Sequence, residues 1–396
     1  MGRQQLKFTV PEGRKRRICV MVASRANYAR IKSVLLAVQE HPDLELQLVV
    51  GASALLNRFG SAIDVIRADG FEPAAITYTI IEGENPTTMA KSTGLGVIEL
   101  STIFENLKPD IVLTVADRFE TMATAIAASY MNIPLAHTQG GEVTGNIDES
   151  VRHAITKLAH IHFPATDASH ERVIRLGEDP ATVFNVGCPA MDAVNDLDLS
   201  LTNSLFDRYG GVGPRLDVEG RRYLLVLQHP VTTEFGSGRA QIEETLEALR
   251  RLEMQAIVLW PNIDAGSDDV AKGLRVFRER HRPAWLHLFR NFSVEDYARV
   301  LANAACVVGN SSSGIREGSF LGVPHVNVGT RQQGRERGEN VIDAGYDADQ
   351  IEAAVRRQLE HGRYPRSGLF GDGTAGVQVA EILAKIEGDV QKRITY

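Results

Sequence analysis

Residues 110–138 read DIVLTVADRFETMATAIAASYMNIPLAHT, and this stretch decides the fold. Two β-branched apolar runs, at 110–117 and 132–138, flank the amphipathic segment FETMATAIAASYM. A strand, a helix and a second strand in this order form a βαβ unit with parallel strands and a right-handed crossover. Because the apolar runs are continuous rather than alternating, we expect a parallel sheet covered on both faces.

The same rhythm continues outward along the chain. Further strand-like runs occur at 17–24, 44–51, 160–165, 223–230, 255–261, 285–289, 305–310 and 324–329. The rhythm breaks at 195–221, where charge, glycine and proline mix. The sequence therefore predicts an α/β protein with two Rossmann-like doubly wound domains facing each other across a cleft. We expect an N-terminal tail at 1–16, a first domain at 17–195 and a second at 196–373.

Composition narrows the class of protein. With 396 residues and 43% hydrophobic content, the chain can build two cores. A net charge of -7 argues against nucleic acid as a partner, and no apolar run reaches the ~20 residues of a membrane span. Cys19, Cys188 and Cys306 stand alone in apolar runs, which predicts buried thiols in a reducing compartment. The N-terminus lacks a signal-peptide core, so we expect a cytoplasmic protein.

Small polar residues follow several predicted strands, at the sheet edge where such folds bind ligands. ASRANYAR puts Arg25 at a helix start, where a guanidinium and free backbone N–H groups could hold a phosphate. Either feature alone could be an ordinary helix cap with a surface arginine. The chain has no GxGxxG, which disfavours a nicotinamide cofactor.

The segment NSSSGIREGSF repeats this arrangement after a strand of the second domain. Hydroxyl and backbone donors from it suit a diphosphate, and they come from Ser311, Ser312, Ser313 and Gly314. Glu317 could accept from ribose hydroxyls. The segment lacks the GxSxG of a nucleophile elbow, and a plain helix N-cap remains the alternative.

Two more strand ends carry charged or titratable residues. DRFET places Asp117 and then Arg118 after the strand at 110–117, and QHP places His229 after the strand at 223–230. Taken singly, the aspartate could be a helix cap and the histidine a structural residue.

The segment 135–153, LAHTQGGEVTGNIDESVRH, is unusually rich in charge for a connector. Its two glycines allow a tight turn, and Glu142, Asp148 and Glu149 bring several carboxylates together. Mutual repulsion and burial raise the pKa of such a group toward neutrality, which suits a general acid or base. Helix capping could account for one of the carboxylates but not for all three.

Seven motifs occur in one order, and together they resemble the UDP-N-acetylglucosamine 2-epimerase family, specifically its hydrolysing branch, which feeds sialic-acid-type pathways. They are SRANYAR, ADRFET, HTQGGEVTGNIDESVRHAITKLAH, QHP, WPNIDAGS, GNSSSGIRE and GTRQQGRERGENV. The resemblance extends from about 17 to 388. It implies a glycosyltransferase B-like arrangement, with the nucleotide in the interdomain cleft and a final helix, within 374–396, crossing back to the first domain.

The resemblance also implies residue roles. Arg25, Ser311 and Ser312 would hold the diphosphate, with Glu317 on the ribose and Phe292 and Tyr297 beside the nucleoside. The substrate contacts would include Asn262, Arg118, His229 and Arg331, and the catalytic carboxylates would be Asp117 and Asp148. Where the family's sugar 2-epimerases usually carry a glutamate, this chain has Gln139, which can only form hydrogen bonds.

We therefore expect a hydrolysing nucleotide-sugar 2-epimerase without metal or cofactor, acting most simply on UDP-N-acetylglucosamine to release N-acetylmannosamine and UDP. Glu142 and His229 join the two aspartates as catalytic candidates. The alternatives are a UDP- or GDP-linked 2,4-diacetamido-trideoxyhexose substrate, a non-hydrolysing epimerase, and a glycosyltransferase of the same fold. A metal hydrolase using His153, His160 and His162 is a distant alternative. We also expect a homo-oligomer, either a dimer or a tetramer.

Overall fold

The computed structural model describes residues 6–57, 60–83, 85–145, 147–195, 197–262 and 264–395. Within these ranges the strands are, in chain order, β1 (Lys7–Phe8), β2 (Arg16–Val22), β3 (Leu44–Gly51), β4 (Ala75–Thr77), β5 (Ile111–Val115), β6 (Leu135–Thr138), β7 (Ile161–Phe163), β8 (Tyr223–Leu227), β9 (Gln255–Leu259), β10 (Leu286–Phe289), β11 (Cys306–Gly309), β12 (His325–Val328), β13 (Val341–Ala344) and β14 (Gly388–Asp389).

The α-helices of the same residues alternate with these strands. They are α1 (Arg25–Ala29), α2 (Lys32–Glu40), α3 (Ala62–Ala68), α4 (Pro86–Leu107), α5 (Phe119–Tyr130), α6 (Ile147–Leu158), α7 (Asp167–Arg175), α8 (Asp192–Asn195), α9 (Gly238–Leu252), α10 (Ser267–His281), α11 (Val294–Asn303), α12 (Ser312–Ile315), α13 (Glu317–Leu321), α14 (Ala348–His361) and α15 (Ala375–Lys385).

Two six-stranded parallel sheets form the two halves of the molecule. The first has the strand order β4-β3-β2-β5-β6-β7 and the second β10-β9-β8-β11-β12-β13. In each sheet the order reverses between two central strands, β2 and β5 in one and β8 and β11 in the other. Such a reversal opens a crevice at the carboxyl ends of the strands. The predicted fold of two Rossmann-like, doubly wound domains is confirmed.

Burial on both faces explains why these strands read as continuous apolar runs. Every residue of β5, β8, β9 and β11 is buried. One apolar cluster covers each face of each sheet, and a fifth joins residues near 190, such as Met191, to Ile315 and Phe320 of the second half. The two halves are therefore packed together beside the cleft.

Local signals fix where several helices begin. The side chain of Asn85 accepts from the backbone N–H of Thr88, and the hydroxyl of Thr88 accepts from the backbone N–H of Asn85, which forms a capping box. Pro86 occupies the first turn of α4. Ser24 caps α1 in the same sense, because its hydroxyl accepts from the backbone N–H of Asn27 at 3.1 Å. The alternative interpretation of Ser24 as a helix cap is therefore correct, and it is compatible with a role in binding.

The strand-like runs found in the sequence all correspond to strands, with ends that shift by a few residues. The edge strands β4 and β13 were not predicted. Each has three or four residues, of which only the last is buried and the others are half-buried or exposed. A short, partly exposed edge strand gives no continuous apolar run, so its sequence signal is weak.

The two ends of the described chain meet on the first half. Strand β1 pairs antiparallel with β14, so part of the predicted tail at 1–16 is in a sheet. Helix α15 packs against α2, and the buried Arg16 donates from Nη1 to the carbonyls of Leu383 and Ile386 at 2.7 and 2.8 Å. These contacts agree with a C-terminal helix that crosses back, while the domain boundaries at 17, 196 and 374 stay predictions.

The three cysteines are free and buried, as predicted. Cys19 lies in β2 and Cys306 in β11, whereas Cys188 lies outside the strands. In the part of the chain that the structure describes, no helix combines the length and apolarity required to cross a membrane.

Candidate active site

A cleft of about 920 Å³, including its open mouth, lies between the two halves. The residues predicted for binding that line it are Arg25, His229, Asn262, Phe292, Tyr297, Ser311, Ser312, Ser313, Glu317 and Arg331. They follow strands of both sheets at their carboxyl ends, which is where the fold was expected to bind a ligand.

One of the three serines after β11 contacts the first domain. Ser311 caps the short helix α12, and its hydroxyl accepts from the backbone N–H of Ser313 at 3.4 Å. Ser312 accepts from Nη2 of Arg30 at 2.6 Å, across the cleft. Arg30 was not singled out from the sequence, although it closes the SRANYAR motif. The serine segment and the first domain are therefore already linked by a cation at the cleft.

Arg25 also spans the cleft. Its Nη1 donates to the carbonyl of Arg290 at 2.7 Å and to Oδ1 of Asn291 at 3.0 Å. Burial lowers the pKa of Arg25, and the guanidinium stays a cation because its ordinary pKa is so high. Two cations from α1 and its C-terminal end, Arg25 and Arg30, thus line one wall of the cleft opposite the serines.

One end of the cleft is aromatic. Phe292 is buried against Tyr209, with ring centroids 4.8 Å apart, and its backbone lies at the start of α11. The hydroxyl of Tyr297 shares a 2.5 Å hydrogen bond with that of Ser313. Both residues line the cleft as the resemblance implied, although Phe292 is packed chiefly inside the second core.

His229 is held as a neutral imidazole. Its Nδ1 accepts from the backbone N–H of Asn262 at 3.2 Å, which puts the proton of the neutral ring on Nε2. Burial first, and then the positive charges of Arg331, Arg25, Arg118 and Arg30, lower its pKa well below the ordinary value. His229 can therefore donate a hydrogen bond from Nε2 without being a cation.

Asp117 lies just after β5 and is buried. Its Oδ2 accepts from Nε of Arg152 at 3.1 Å and also from Nη2 of that residue. Burial alone would raise the pKa of Asp117, but the charges of Arg152, Arg30 and Arg335 outweigh burial and lower it. Asp117 is therefore held as an anion.

The pKa of Asp148, in the first turn of α6, is raised, whereas that of Asp117 is lowered. Burial, followed by repulsion from Asp117 and Asp264, raises the pKa of Asp148 to about 6, against the opposing charges of Arg331 and Arg118. The sequence predicted one carboxylate near neutrality in this segment, and the structure identifies it as Asp148. A group that titrates near neutrality can both take up and release a proton at working pH.

Glu142 forms ion pairs with two arginines. Its Oε2 pairs with Arg316 and, at 2.8 Å, with Nη1 of Arg335. Burial would raise its pKa, but Arg316, Arg335 and Arg152 lower it to about 2. Glu142 does not line the cleft, and its arginine partners come from the second half of the chain.

Gln139 and Gly314 also lie outside the cleft lining. Gln139 has a backbone φ of 60°, is buried, and donates from Nε2 to Sγ of Cys188 at 3.2 Å. A Cβ at Gly314 would lie 1.8 Å from Nδ1 of His325, so glycine lets α12 approach β12. Packing accounts for Gly314 in this structure.

Arg118 forms ion pairs with two carboxylates. Its Nε and Nη2 donate to Glu120 at 3.2 and 3.3 Å, and its Nη1 lies 2.8 Å from Oδ1 of Asp264. Asp264 follows Asn262 in the WPNIDAGS motif, but nothing in the sequence distinguished it from a loop aspartate. Arg152, Arg316 and Arg335 were missed for the same reason, because their partners are distant in sequence.

The histidines of the metal-hydrolase alternative have separate partners. Nε2 of His162 lies 3.1 Å from Glu178, His160 bonds the carbonyl of Val390 at 2.8 Å, and His153 lies 3.7 Å from Glu149. In the described ranges, no group of three or more histidine, cysteine, aspartate or glutamate residues is arranged to hold a metal ion.

Comparison with known proteins supports the resemblance. Residues 36–384 match the family model described as UDP-N-acetylglucosamine 2-epimerase. A Legionella pneumophila protein named UDP-N,N'-diacetylbacillosamine 2-epimerase (hydrolyzing) is 34% identical over 380 residues, which cover 94% of this chain and 96% of that protein. A Campylobacter jejuni protein named GDP/UDP-N,N'-diacetylbacillosamine 2-epimerase (hydrolyzing) is 31% identical over 332 residues, or 83% and 84% of the two chains.

Among solved structures, the UDP-GlcNAc 2-epimerase of Neisseria meningitidis bound to UDP-GlcNAc aligns with a TM-score of 0.76 at 17% identity. The alignment covers 93% of this chain and 99% of that one, and at this identity it shows the fold. Sequence match and fold agree over nearly the whole chain, and the chain belongs to the UDP-N-acetylglucosamine 2-epimerase family.

Proposed function

We propose that this protein is a hydrolysing 2-epimerase of a UDP-linked, N-acetylated amino sugar. The observation that carries the proposal is the contrast between Asp117 and Asp148, two carboxylates whose charges interact. One is held ionised by Arg152, and burial with repulsion raises the pKa of the other to about 6. Neither aspartate lines the cleft, but Arg331, which does, lies 4.0 Å from Asp148. A pair of carboxyl groups with separated pKa values suits proton transfer on the sugar.

The reaction consists of an elimination and a hydration. A carboxylate base takes the proton from C2 while the C1–O bond breaks and its electron pair leaves with UDP, which forms a C1=C2 double bond. Water then adds its hydroxyl group to C1, and a proton is delivered to C2 on the opposite face. The products are UDP and the free 2-epimeric sugar, so the sum is substrate plus one water.

We assign the base that removes the C2 proton to Asp148, since a carboxyl group with a pKa of about 6 is ionised at neutral pH. Asp148 then releases that proton to solvent, and the proton added to C2 on the opposite face comes from solvent. Asp117 stays an anion and stabilises positive charge that develops at C1. His229 donates from Nε2 to the leaving diphosphate, together with Arg25 and the serines of the cleft. Glu142 is assigned to the interdomain ion pairs rather than to proton transfer.

The relatives favour a 2,4-diacetamido sugar as the substrate. Two proteins that are 34% and 31% identical to this chain carry names that specify N,N'-diacetylbacillosamine. The family model bears the name of UDP-N-acetylglucosamine, which keeps that sugar as the second candidate.

Product analysis tests the proposal. The protein is incubated separately with UDP-N,N'-diacetylbacillosamine, its GDP counterpart and UDP-N-acetylglucosamine, and the products are followed by NMR. We expect UDP and a free sugar inverted at C2, formed fastest from the UDP-linked diacetamido sugar. A product still linked to UDP would indicate a non-hydrolysing epimerase. A free sugar with unchanged C2, or turnover only with a sugar acceptor, would indicate a glycosyl hydrolase or transferase.

A further inference from the structure

Asp264 holds two arginines, one from each half of the molecule. It is buried in the loop between β9 and α10. Its Oδ1 lies 2.8 Å from Nη1 of Arg118, which follows β5 in the first half. Its Oδ2 lies 3.7 Å from Nη2 of Arg331, which follows β12 in the second half.

Each arginine also reaches a second carboxylate. Arg118 also donates to the buried Glu120, while Nη2 of Arg331 lies 4.0 Å from Oδ2 of Asp148. The result is a row of alternating charge, in the order Glu120, Arg118, Asp264, Arg331 and Asp148. The row crosses from the first half to the second at Arg118 and Asp264, and returns at Arg331 and Asp148.

We propose that Asp264 is a positioning residue that holds Arg118 and Arg331 beside Asp148 and so sets the charge around the base contributed by the other domain. The proposal rests on the proposed function, in which Asp148 transfers the C2 proton. Asp264 and Asp148 both lie outside the cleft lining, whereas Arg331 is part of it, and Asp264 reaches Asp148 through that arginine. Its effect on the reaction is therefore indirect.

The electrostatics give the direction of the effect. The charged groups that act on Asp148 are Asp117, Asp264, Arg118, Arg331 and Arg152. Replacing Asp264 with asparagine removes one repelling anion and leaves both arginines with a weaker partner. Each change favours the ionised form of Asp148, so its pKa falls.

A purely structural role predicts something else. If Asp264 only joined the two domains, its loss would lower the melting temperature but leave the titration of Asp148 where it is. The pKa of Asp148 therefore separates the two roles. It can be measured without substrate, so the result stands even if the proposed sugar is not turned over.

The experiment compares wild type with Asp264→Asn, Asp264→Glu and the control Asp268→Asn, which removes an exposed carboxylate four residues along the chain. Aspartate labelled with ¹³C at the carboxyl carbon reports the titration of Asp148, whose signal is assigned with Asp148→Asn. We expect the titration of Asp148 to move to lower pH in Asp264→Asn, to return toward the wild-type position in Asp264→Glu, and not to move in the control.

Kinetics and binding complete the test. In Asp264→Asn we expect kcat to fall about 10-fold or more and the acid limb of the pH–rate profile to move with the titration, while the Kd for UDP stays within about twofold. An unchanged titration of Asp148 in a folded Asp264→Asn variant would overturn the proposal. A loss of melting temperature with wild-type kcat would overturn it as well. Absence of turnover in wild type, with the titration shifted as expected, would count against the proposed substrate and not against Asp264.

Discussion

Oε2 of Glu142 lies 2.8 Å from Nη1 of Arg335, so a carboxylate of the first half is paired with a guanidinium from the segment between β12 and β13 in the second half. Arg316 shares the same oxygen, and all three side chains are buried. This ion-pair cluster joins the two halves behind the cleft, at the segment whose dense charge was the most unusual feature of the sequence.

Replacing Glu142 with glutamine should destabilise the protein, because two buried cations lose their anion. Removing one partner of a buried pair costs about 3–5 kcal/mol, which corresponds to a fall in Tm of roughly 5 °C or more for a protein of this size. Differential scanning calorimetry checks this. Glu243→Gln removes an exposed pair with Arg239 and should change Tm little. Equal effects in the two variants would contradict the assignment.

The same pair should make stability depend on pH at the acid end. The pKa of Glu142 is about 2 in the folded protein and near 4.5 when unfolded, so its contribution is complete above pH 4.5 and is lost as pH falls toward 2. Melting temperatures of wild type and Glu142→Gln should therefore converge as the pH is lowered through this window. Parallel curves down to pH 3 would speak against the pair.

UDP binding should depend on the two walls of the cleft. We expect Arg25→Ala and Ser312→Ala each to raise the Kd for UDP about 10-fold, since each removes a donor at the proposed diphosphate position. Isothermal titration calorimetry measures this, with the exposed Arg356→Ala as a control. If both cleft variants bind UDP as wild type does, the diphosphate lies elsewhere.

Removing either aspartate should affect turnover more than binding. Asp117→Asn and Asp148→Asn are expected to lower kcat about 10²-fold or more while the Kd for UDP stays nearly unchanged. Steady-state kinetics and calorimetry on the same preparations test this. A variant that keeps at least half of wild-type kcat would remove that residue from the mechanism.

The pH–rate profile should show a limb that belongs to Asp148. As the base must be ionised, kcat/KM should fall below a pH of about 6, the pKa to which burial, Asp117 and Asp264 raise this carboxyl group. In Asp148→Asn the residual rate should lack that limb. A limb at the same pH in both enzymes would assign the titration to another group.

The sequence predicted the sheets better than it predicted the polar network. A buried parallel strand such as β5 leaves a continuous apolar run, and the polar residue that follows it must lie at the carboxyl edge, so Asp117, His229 and the serines after β11 were found by position alone. Asp264, Arg152 and Arg335 have no such signal. Their importance comes from partners more than 30 residues away, which sequence spacing does not reveal.

The two missed edge strands have a related cause. β4 and β13 are short and partly exposed to water. An interior strand is covered by other elements on both faces and is therefore uniformly apolar, but these two strands are not, so they leave no continuous apolar run. Glu142 shows the complementary case. The sequence grouped it with Asp148 and Glu149 as carboxylates of one cleft, but the folded chain pairs it with two arginines that lower its pKa to about 2, whereas burial and two aspartates raise that of Asp148.

Turnover in D₂O tests the central claim most directly, because the account requires Asp148 to remove the C2 proton and solvent to supply the proton that is added to the opposite face. The substrate with ordinary hydrogen at C2 is converted in D₂O, and the released sugar is analysed by NMR and mass spectrometry. We predict one solvent deuterium at C2, inverted configuration at that carbon, and release of UDP in equal amount. A released sugar that keeps its original C2 hydrogen and configuration would contradict the account.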